Sequence, residues 1–215
     1  MNVNRNQLLL YGITDRRLLA DGESLTEAVE RAVRGGATII QLREKTADKS
    51  GILRIACELR EICHKYDVLF IVNDSVSLAY ESEADGVHLG LDDDDVGYAR
   101  NILGKNAVIG ATAHNLSEAR TAWEAGADYL GCGAVFGSKT KTDTIPLSIA
   151  TLSEICRSSP VPVVAIGGIN AENALLLKGS GIAGIAVVSA LFAEKDIEAS
   201  ATVLKKLASE AFGKD

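Results

Sequence analysis

The stretch GGATIIQLREK, residues 35–45, contains the three features on which the fold prediction rests. Its two glycines suit the turn that leads out of a helix. The β-branched apolar run after them is continuous rather than alternating, which is typical of a strand buried on both faces of a parallel sheet. The polar end of the stretch, QLREK, places charged side chains directly after that strand.

The same order of turn, apolar run and amphipathic stretch recurs along the 215 residues. The predicted strands are Leu8–Asp15, Thr38–Lys45, Leu69–Asp74, Gly86–Leu91, Val108–His114, Tyr129–Gly137, Val161–Ile169 and Gly184–Leu191. The predicted helices are Ser24–Gly35, Asp48–Tyr66, Ser75–Ser82, Val96–Leu103, Asn115–Gly126, Ser148–Ser158, Asn170–Lys178 and Ile197–Phe212. Strict alternation favours right-handed parallel crossovers, and eight units favour a closed barrel over an open sheet. We therefore predict an α/β fold, a single (β/α)8 TIM-barrel domain spanning residues 1–215.

Composition excludes several classes of function. The chain has 22 basic and 29 acidic residues, a formal net charge of −7, which argues against nucleic-acid or anionic-membrane binding. No apolar run is long enough for a signal peptide or a membrane span. The four cysteines lack metal-ligand spacing and are interpreted as free thiols in a reducing compartment. We predict a cytoplasmic protein that binds small phosphorylated substrates. The sequence does not determine its oligomeric state, and a homo-oligomer is possible.

In such a barrel the active site lies at the C-terminal ends of the strands, and polar residues collect there in this sequence. Gln41, Arg43 and Lys45 alternate along the second strand, so all three are expected to point into the barrel mouth. Cations in this position need an anionic partner, because an unpaired buried charge is costly. A clamp for a phosphate or diphosphate is one interpretation, and a salt-bridge layer with neighbouring acids is the other.

Two further groups of strand-end residues indicate ligand sites. Asp74 and Asp93 follow neighbouring strands and could share a Mg²⁺ ion with substrate phosphates, although an Asp in this position is also a common helix cap. The polar loop GSKTKTDT, residues 137–144, and the pair Gly167-Gly168 before a predicted helix start at Asn170 suit phosphate binding. An ordinary surface loop is the alternative interpretation of this segment. His88 and His114 are interpreted as structural or substrate-orienting residues rather than general bases.

Nine motifs of the sequence resemble those of thiamine-phosphate synthases. They are YGITD, GGATIIQLREK, FIVNDS, ADGVHLG, GATAHN, GADYLGCGAVF, KTKTD, VVAIGGI and GIAVVSAL. The likeness runs from about Leu8 to Phe192. It implies a transferase that joins an aminopyrimidine diphosphate to a thiazole phosphate with Mg²⁺ as cofactor. Leu91 stands where the family usually has Gln, Thr112 where Ser is common, and Gly137-Ser138 where Pro-Thr is common.

The resemblance also implies the role of individual residues. Mg²⁺ is expected at Asp74 and Asp93. The pyrimidine diphosphate is expected at Gln41, Leu42, Arg43, Glu44, Lys45, Asn73, Thr112 and Lys141. The thiazole phosphate is expected at Ser138, Lys139, Thr140, Gly168, Val188 and Ser189. Arg43, Lys45 and Lys141 are expected to stabilise the leaving pyrophosphate.

Two other functions remain open at this point. A thiazole tautomerase of the same barrel superfamily moves a proton and needs neither a diphosphate clamp nor paired Mg²⁺ carboxylates. A non-catalytic phosphate sensor needs no metal beside a leaving group. The charged set that favours the synthase consists of Arg43, Lys45, Asp74, Asp93 and Lys141.

Overall fold

The computed structural model describes residues 3–44, 48–137 and 145–213. Within these residues eight parallel strands close into a barrel in chain order, because β1 pairs with both β2 and β8. The strands are β1 Leu10–Ile13, β2 Ile39–Leu42, β3 Leu69–Asn73, β4 Gly86–Leu89, β5 Val108–Ala113, β6 Tyr129–Gly133, β7 Val163–Ile166 and β8 Gly184–Val187. The predicted (β/α)8 barrel is therefore confirmed.

Helices surround this sheet. They are α1 Leu25–Arg34, α2 Lys49–Lys65, α3 Val76–Glu81, α4 Val96–Leu103, α5 Leu116–Glu124, α6 Ile149–Ser158, α7 Ser189–Phe192 and α8 Ile197–Phe212. The start of α1 has the predicted capping box, in which the Ser24 hydroxyl and the Glu27 carboxylate each accept the other residue's backbone N–H. None of the helices in the described ranges is long and apolar enough to cross a membrane.

The helix predicted over Asn170–Lys178 is wrong. Only a 3₁₀ turn, Ala174–Leu177, forms in this segment. The Asn170 side chain accepts hydrogen bonds from the backbone N–H groups of Glu172 and Asn173, and Asn173 Oδ1 accepts the N–H of Asn170. These local side-chain bonds satisfy the backbone in a turn and so compete with an α-helix. The expected helix N-terminus after β7 is therefore absent, and a helix follows β8 directly instead.

Side chains of the strands alternate between two apolar layers. Residues such as Leu10, Ile40 and Leu42 face outward and pack under the helices, in the larger cluster. Tyr11 and Ile39 face inward and fill the barrel interior with a second, smaller cluster. The interior is thus a packed core, so a ligand can bind only above it, at the ends of the strands.

Gly110 in β5 makes room for the largest side chains inside the barrel. A Cβ atom at this position would lie 2.1 Å from Tyr129 Cζ and 2.5 Å from His88 Nδ1. Because both neighbours are rings held in the core, we expect Gly110→Ala to lower the free energy of unfolding by about 3 kcal/mol. Urea unfolding would measure this loss as a lower midpoint at an unchanged slope.

Gly12→Ala in β1 is the matched control for that substitution. Its new Cβ would meet the methyl ends of Ile40 and Leu191 at 3.0 and 3.1 Å, and these flexible ends can move. We expect a clearly smaller loss for Gly12→Ala. An equal loss in the two variants would show that ring crowding at Gly110 is not the cause.

Candidate active site

A cavity of about 870 Å³ opens at the carboxyl ends of the strands, and its lining includes residues at or after the end of every strand. Nine of the site residues expected from the sequence line this one cavity. They are Gln41, Arg43, Asn73, Asp74, Asp93, Thr112, Gly168, Val188 and Ser189. The barrel therefore brings together residues that lie up to 148 positions apart in the chain, from Gln41 to Ser189.

Not every expected residue reaches the cavity. The side chain of Leu42 is buried in the outer apolar cluster, because alternation along β2 turns it away from Gln41 and Arg43. Glu44 forms an ion pair with Arg16 at 2.8 Å and does not line the cavity. Binding of the diphosphate by these two residues stays a prediction, and it would not be made by side chains that line the cavity. Lys45, Ser138, Lys139, Thr140 and Lys141 lie outside the described residues.

The end of β1 fixes the position of Arg43. The Thr14 hydroxyl accepts the backbone N–H of Arg43 at 3.0 Å and donates to its carbonyl oxygen at 3.3 Å. The buried Asp15 carboxylate lies 3.5 Å from the Arg43 guanidinium and also binds Arg17. The hydrogen bonds from Arg17 hold the pKa of Asp15 below its usual value, so this carboxylate stays charged beside Arg43. Arg43 is thereby held at the cavity wall with most of its side chain shielded from solvent.

Asp74 and Asp93 lie at the same mouth of the barrel, after the neighbouring strands β3 and β4. Asp74 has a positive φ of 65°, and its N–H donates to the carbonyl of His88 at 2.9 Å. Asp93 Oδ2 accepts the N–H of Gly90 at 2.6 Å, an approach that a side chain at Gly90 would obstruct. The backbone of Asp74 and the carboxylate of Asp93 are thus fixed by contacts with β4 or the residues after it.

This pair of carboxylates is the candidate metal site of the described residues. In the described part of the chain, no group of three His, Cys, Asp or Glu side chains could hold a metal ion. Mg²⁺ is commonly bound by one or two carboxylates together with substrate phosphates and water. Asp74 and Asp93 could supply these carboxylates at a cavity which also contains the cationic side chain of Arg43.

A chain of side-chain hydrogen bonds crosses the barrel directly beneath the cavity. It runs from Gln41 Nε2 to Tyr11 Oη at 2.7 Å, and from Tyr11 Oη to Tyr129 Oη at 2.8 Å. It continues from Tyr129 Oη to His88 Nδ1 at 3.0 Å, and from His88 Nε2 to Thr112 Oγ1 at 3.1 Å. Sequence reasoning did not single out Tyr11 or Tyr129. The signal available was a lone tyrosine in each of two strands otherwise built from aliphatic and small residues.

His88 is expected to make stability depend on pH. Burial lowers the pKa of its imidazole from the ordinary 6.5 to about 4, against a smaller opposing effect of Asp93. As the pH falls, His88 is therefore protonated near pH 6.5 in the unfolded chain but only near pH 4 in the folded protein. The stabilisation is complete above pH 6.5 and is lost as the pH falls from 6.5 to 4, a change of about 3 kcal/mol.

Urea unfolding at a series of pH values, with a chelator present, measures this dependence. His88→Asn is the comparison variant, because its amide does not titrate. We expect a flatter profile between pH 6.5 and 4.5 for that variant. The same slope in both proteins would assign the loss of stability to other groups.

The loops after β6 and β7 form the opposite side of the cavity. Gly167 and Gly168 have φ values of 101° and 63°, and a Cβ on Gly168 would lie 2.5 Å from the carbonyl oxygen of Phe136. The glycines thus allow the two loops to pack closely. Asn173 Nδ2 donates to the carbonyl of Gly168 at 3.0 Å and holds the turn. His114 also lines the cavity, and its Nδ1 contacts Glu118 at 3.0 Å.

Comparison with known proteins identifies the family of this chain. A family model described as thiamine monophosphate synthase matches residues 10–191. The chain is 46% identical to the thiamine-phosphate synthase of Ruminiclostridium cellulolyticum over 198 residues, 92% of this chain and 94% of that protein. It is 44% identical to the thiamine-phosphate synthase of Pyrococcus furiosus over 209 residues, 97% of this chain and 99% of that protein.

Solved structures show the same relationship. The thiamine phosphate pyrophosphorylase from Pyrococcus furiosus superposes with a TM-score of 0.89 at 42% identity, covering 97% of this chain and 99% of that one. A 3-hexulose-6-phosphate synthase superposes with a TM-score of 0.65 at 16% identity, which shows a shared barrel fold and nothing more. On the match of residues 10–191 and the similarity to relatives over nearly its full length, the chain belongs to the thiamine monophosphate synthase family.

Proposed function

We propose that this protein is a thiamine-phosphate synthase. It would condense 4-amino-2-methyl-5-(diphosphooxymethyl)pyrimidine with 4-methyl-5-(2-phosphooxyethyl)thiazole to give thiamine phosphate and pyrophosphate. The observation that carries the proposal is that Arg43, Asp74 and Asp93 share one cavity with Gly168 and Ser189. A single cavity thus has one wall with a cation and two carboxylates, proposed for the diphosphate and Mg²⁺, and another wall proposed for the second phosphate.

The reaction follows from the chemistry of the two substrates. The bond between the exocyclic carbon of the pyrimidine and the diphosphate oxygen breaks, and the electron pair leaves with pyrophosphate. The aminopyrimidine ring delocalises the positive charge on that carbon until the thiazole nitrogen attacks it. No protein nucleophile is required, so the protein contributes alignment of the two substrates and stabilisation of the leaving group.

Arg43 is the described cation at the cavity wall that would bind the diphosphate. Its guanidinium offers several N–H donors in a fixed fork, which suits phosphate oxygens. Thr14 and Asp15 hold it in place before a substrate arrives. Asp74 and Asp93 would hold Mg²⁺. A bound Mg²⁺ ion would supply positive charge that neutralises the departing diphosphate. Lys45 and Lys141, which resemblance assigns to the same role, are proposed on the sequence alone.

The loop after β7 and the start of α7 after β8 would hold the thiazole phosphate. Gly168, Val188 and Ser189 line that part of the cavity, and Ser189 offers a hydroxyl donor. The neighbouring residues Ser138, Lys139 and Thr140 are proposed for this site from the sequence motif. We also propose that the protein acts in the cytoplasm on these small phosphorylated substrates.

One assay tests the proposal. The purified protein is mixed with the pyrimidine diphosphate, the thiazole phosphate and Mg²⁺, and thiamine phosphate and pyrophosphate are quantified. We expect both products in equal amounts, and none when Mg²⁺ is removed with a chelator. Isomerisation of a thiazole substrate without pyrophosphate release would identify a tautomerase instead, and binding without any product would identify a sensor.

A further inference from the structure

The hydrogen-bond chain beneath the cavity has one consistent arrangement of its protons. The side-chain amide nitrogen of Gln41 faces Tyr11, so it can only donate to the Tyr11 oxygen. The Tyr11 proton then has Tyr129 as its acceptor, and the Tyr129 proton has His88 Nδ1. His88 consequently carries its proton on Nε2 and donates it to Thr112 Oγ1. The proton of Thr112 is left to point into the cavity.

The reverse direction of donation leaves one hydroxyl proton without an acceptor. If Tyr129 donated to Tyr11, the Tyr11 oxygen would accept from both neighbours in the chain. Its own proton would then have no acceptor there, inside a packed apolar interior. A doubly protonated His88 forces this same fault, because both of its nitrogens would donate. Only a turned-over Gln41 amide would permit the opposite direction.

The barrel is built to accommodate this chain. Gly110 and Gly131 lie on β5 and β6, where a Cβ would press against the rings of Tyr129 and His88. The two tyrosines are almost fully buried and do not line the cavity, whereas Gln41, His88 and Thr112 do. The tyrosine hydroxyls therefore contact no cavity ligand and act on one only through their neighbours.

We propose that Tyr11, Tyr129 and His88 form a directional relay that sets the hydrogen-bonding pattern of the cavity floor. Through it Thr112 is presented as a donor and the Gln41 carbonyl oxygen as an acceptor. This inference rests on the proposed function for the identity of the ligand. A 4-aminopyrimidine complements that pattern, because its exocyclic amine donates while the ring nitrogen across the ring accepts. Tyr11 and Tyr129 are thus positioning residues that select the orientation of the ring.

The direction of the relay can be measured without any substrate. Nitrogen-15 NMR of histidine-labelled protein distinguishes protonated from unprotonated ring nitrogens, and the chain has three histidines, so His64→Gln and His114→Gln suffice for assignment. We expect His88 to be neutral with Nε2 protonated and Nδ1 unprotonated. In Tyr129→Phe this preference should weaken, because Nδ1 loses its donor. Protonated Nδ1 in the unsubstituted protein would overturn the proposed direction.

Kinetics then test what the relay does. We expect Tyr129→Phe and Tyr11→Phe each to raise the KM for the pyrimidine diphosphate about 10-fold, with the KM for the thiazole phosphate unchanged. Tyr66→Phe is the matched control, because it removes a hydroxyl bonded to Glu30 outside the barrel. Thermal unfolding checks that each variant is folded. If Tyr129→Phe does not fold, Tyr11→Phe alone tests the relay.

The outcomes separate the relay from the proposed function. If the unsubstituted protein forms no thiamine phosphate, the proposed function fails, and the histidine tautomer still decides whether the relay exists. If the protein is active but both tyrosine variants keep a normal KM for the pyrimidine diphosphate, the positioning role is overturned. Equal changes in the KM for both substrates would likewise overturn it, because a general loss of structure would then explain the effect.

Discussion

Asp93→Asn is expected to lower kcat/KM by about 10²-fold or more at limiting Mg²⁺, with part of the loss recovered at high Mg²⁺. The substitution keeps an oxygen that can accept the N–H of Gly90, so the loop after β4 should keep its conformation. What it removes is one negative charge from a pair of carboxylates that lines the cavity. Because Mg²⁺ is held chiefly by charge, its affinity should fall while the fold remains intact.

Asp94→Asn is the matched control for that variant. Asp94 belongs to the same exposed acidic run but does not line the cavity. The activity of Asp94→Asn should therefore be normal across the whole Mg²⁺ titration. Asp95→Asn should also be tolerated, because Asp95 caps α4 and asparagine caps equally well. Near-normal rates for Asp93→Asn, together with a severe loss for Asp92→Asn or Asp94→Asn, would move the metal ligand within this run.

The barrel was predictable because its determinants are local. Continuous apolar runs indicate strands buried on both faces. Helix-capping residues such as Ser24 mark where the helix between two strands begins. The position of the site followed from the same reasoning, since polar residues directly after parallel strands must meet at one face. Gln41, Asp74 and Asp93 therefore needed no long-range information to be placed at one mouth.

The remaining features depend on contacts that sequence spacing does not encode. The segment after Gly168 looks helical in composition, yet two asparagine side chains bond the backbone into a turn. The tyrosine relay requires β1, β4 and β6 to hold Tyr11, His88 and Tyr129 at matching heights, a property of the closed barrel as a whole. The outward direction of Leu42, by contrast, follows from simple alternation with Gln41 and could have been deduced.

The second large effect is expected at Arg43. Arg43→Gln should lower kcat by about 10²-fold or more, because it removes the guanidinium proposed to stabilise the departing diphosphate. It should also disturb Asp15, whose buried carboxylate loses one of its two cationic neighbours. Arg43→Lys keeps the charge without the fork geometry and should retain part of the activity. Steady-state rates with each substrate varied in turn measure both effects.

Arg16→Gln distinguishes a site-specific role from a general loss of positive charge. Arg16 follows β1, the strand that pairs with β2, and its Nε lies 2.8 Å from a Glu44 oxygen, but it does not line the cavity. Its Glu44 partner is only 2% exposed, so breaking the pair is expected to lower stability, and thermal unfolding must show that the variant is folded. The activity of the folded variant should be unchanged. Arg43 is only 18% exposed and lines the cavity at a fixed position, so we expect that neither solvent nor a mobile neighbour can replace it. If the two glutamine variants lost activity equally, the role assigned to Arg43 would be wrong, and the diphosphate would have to be bound by other cations.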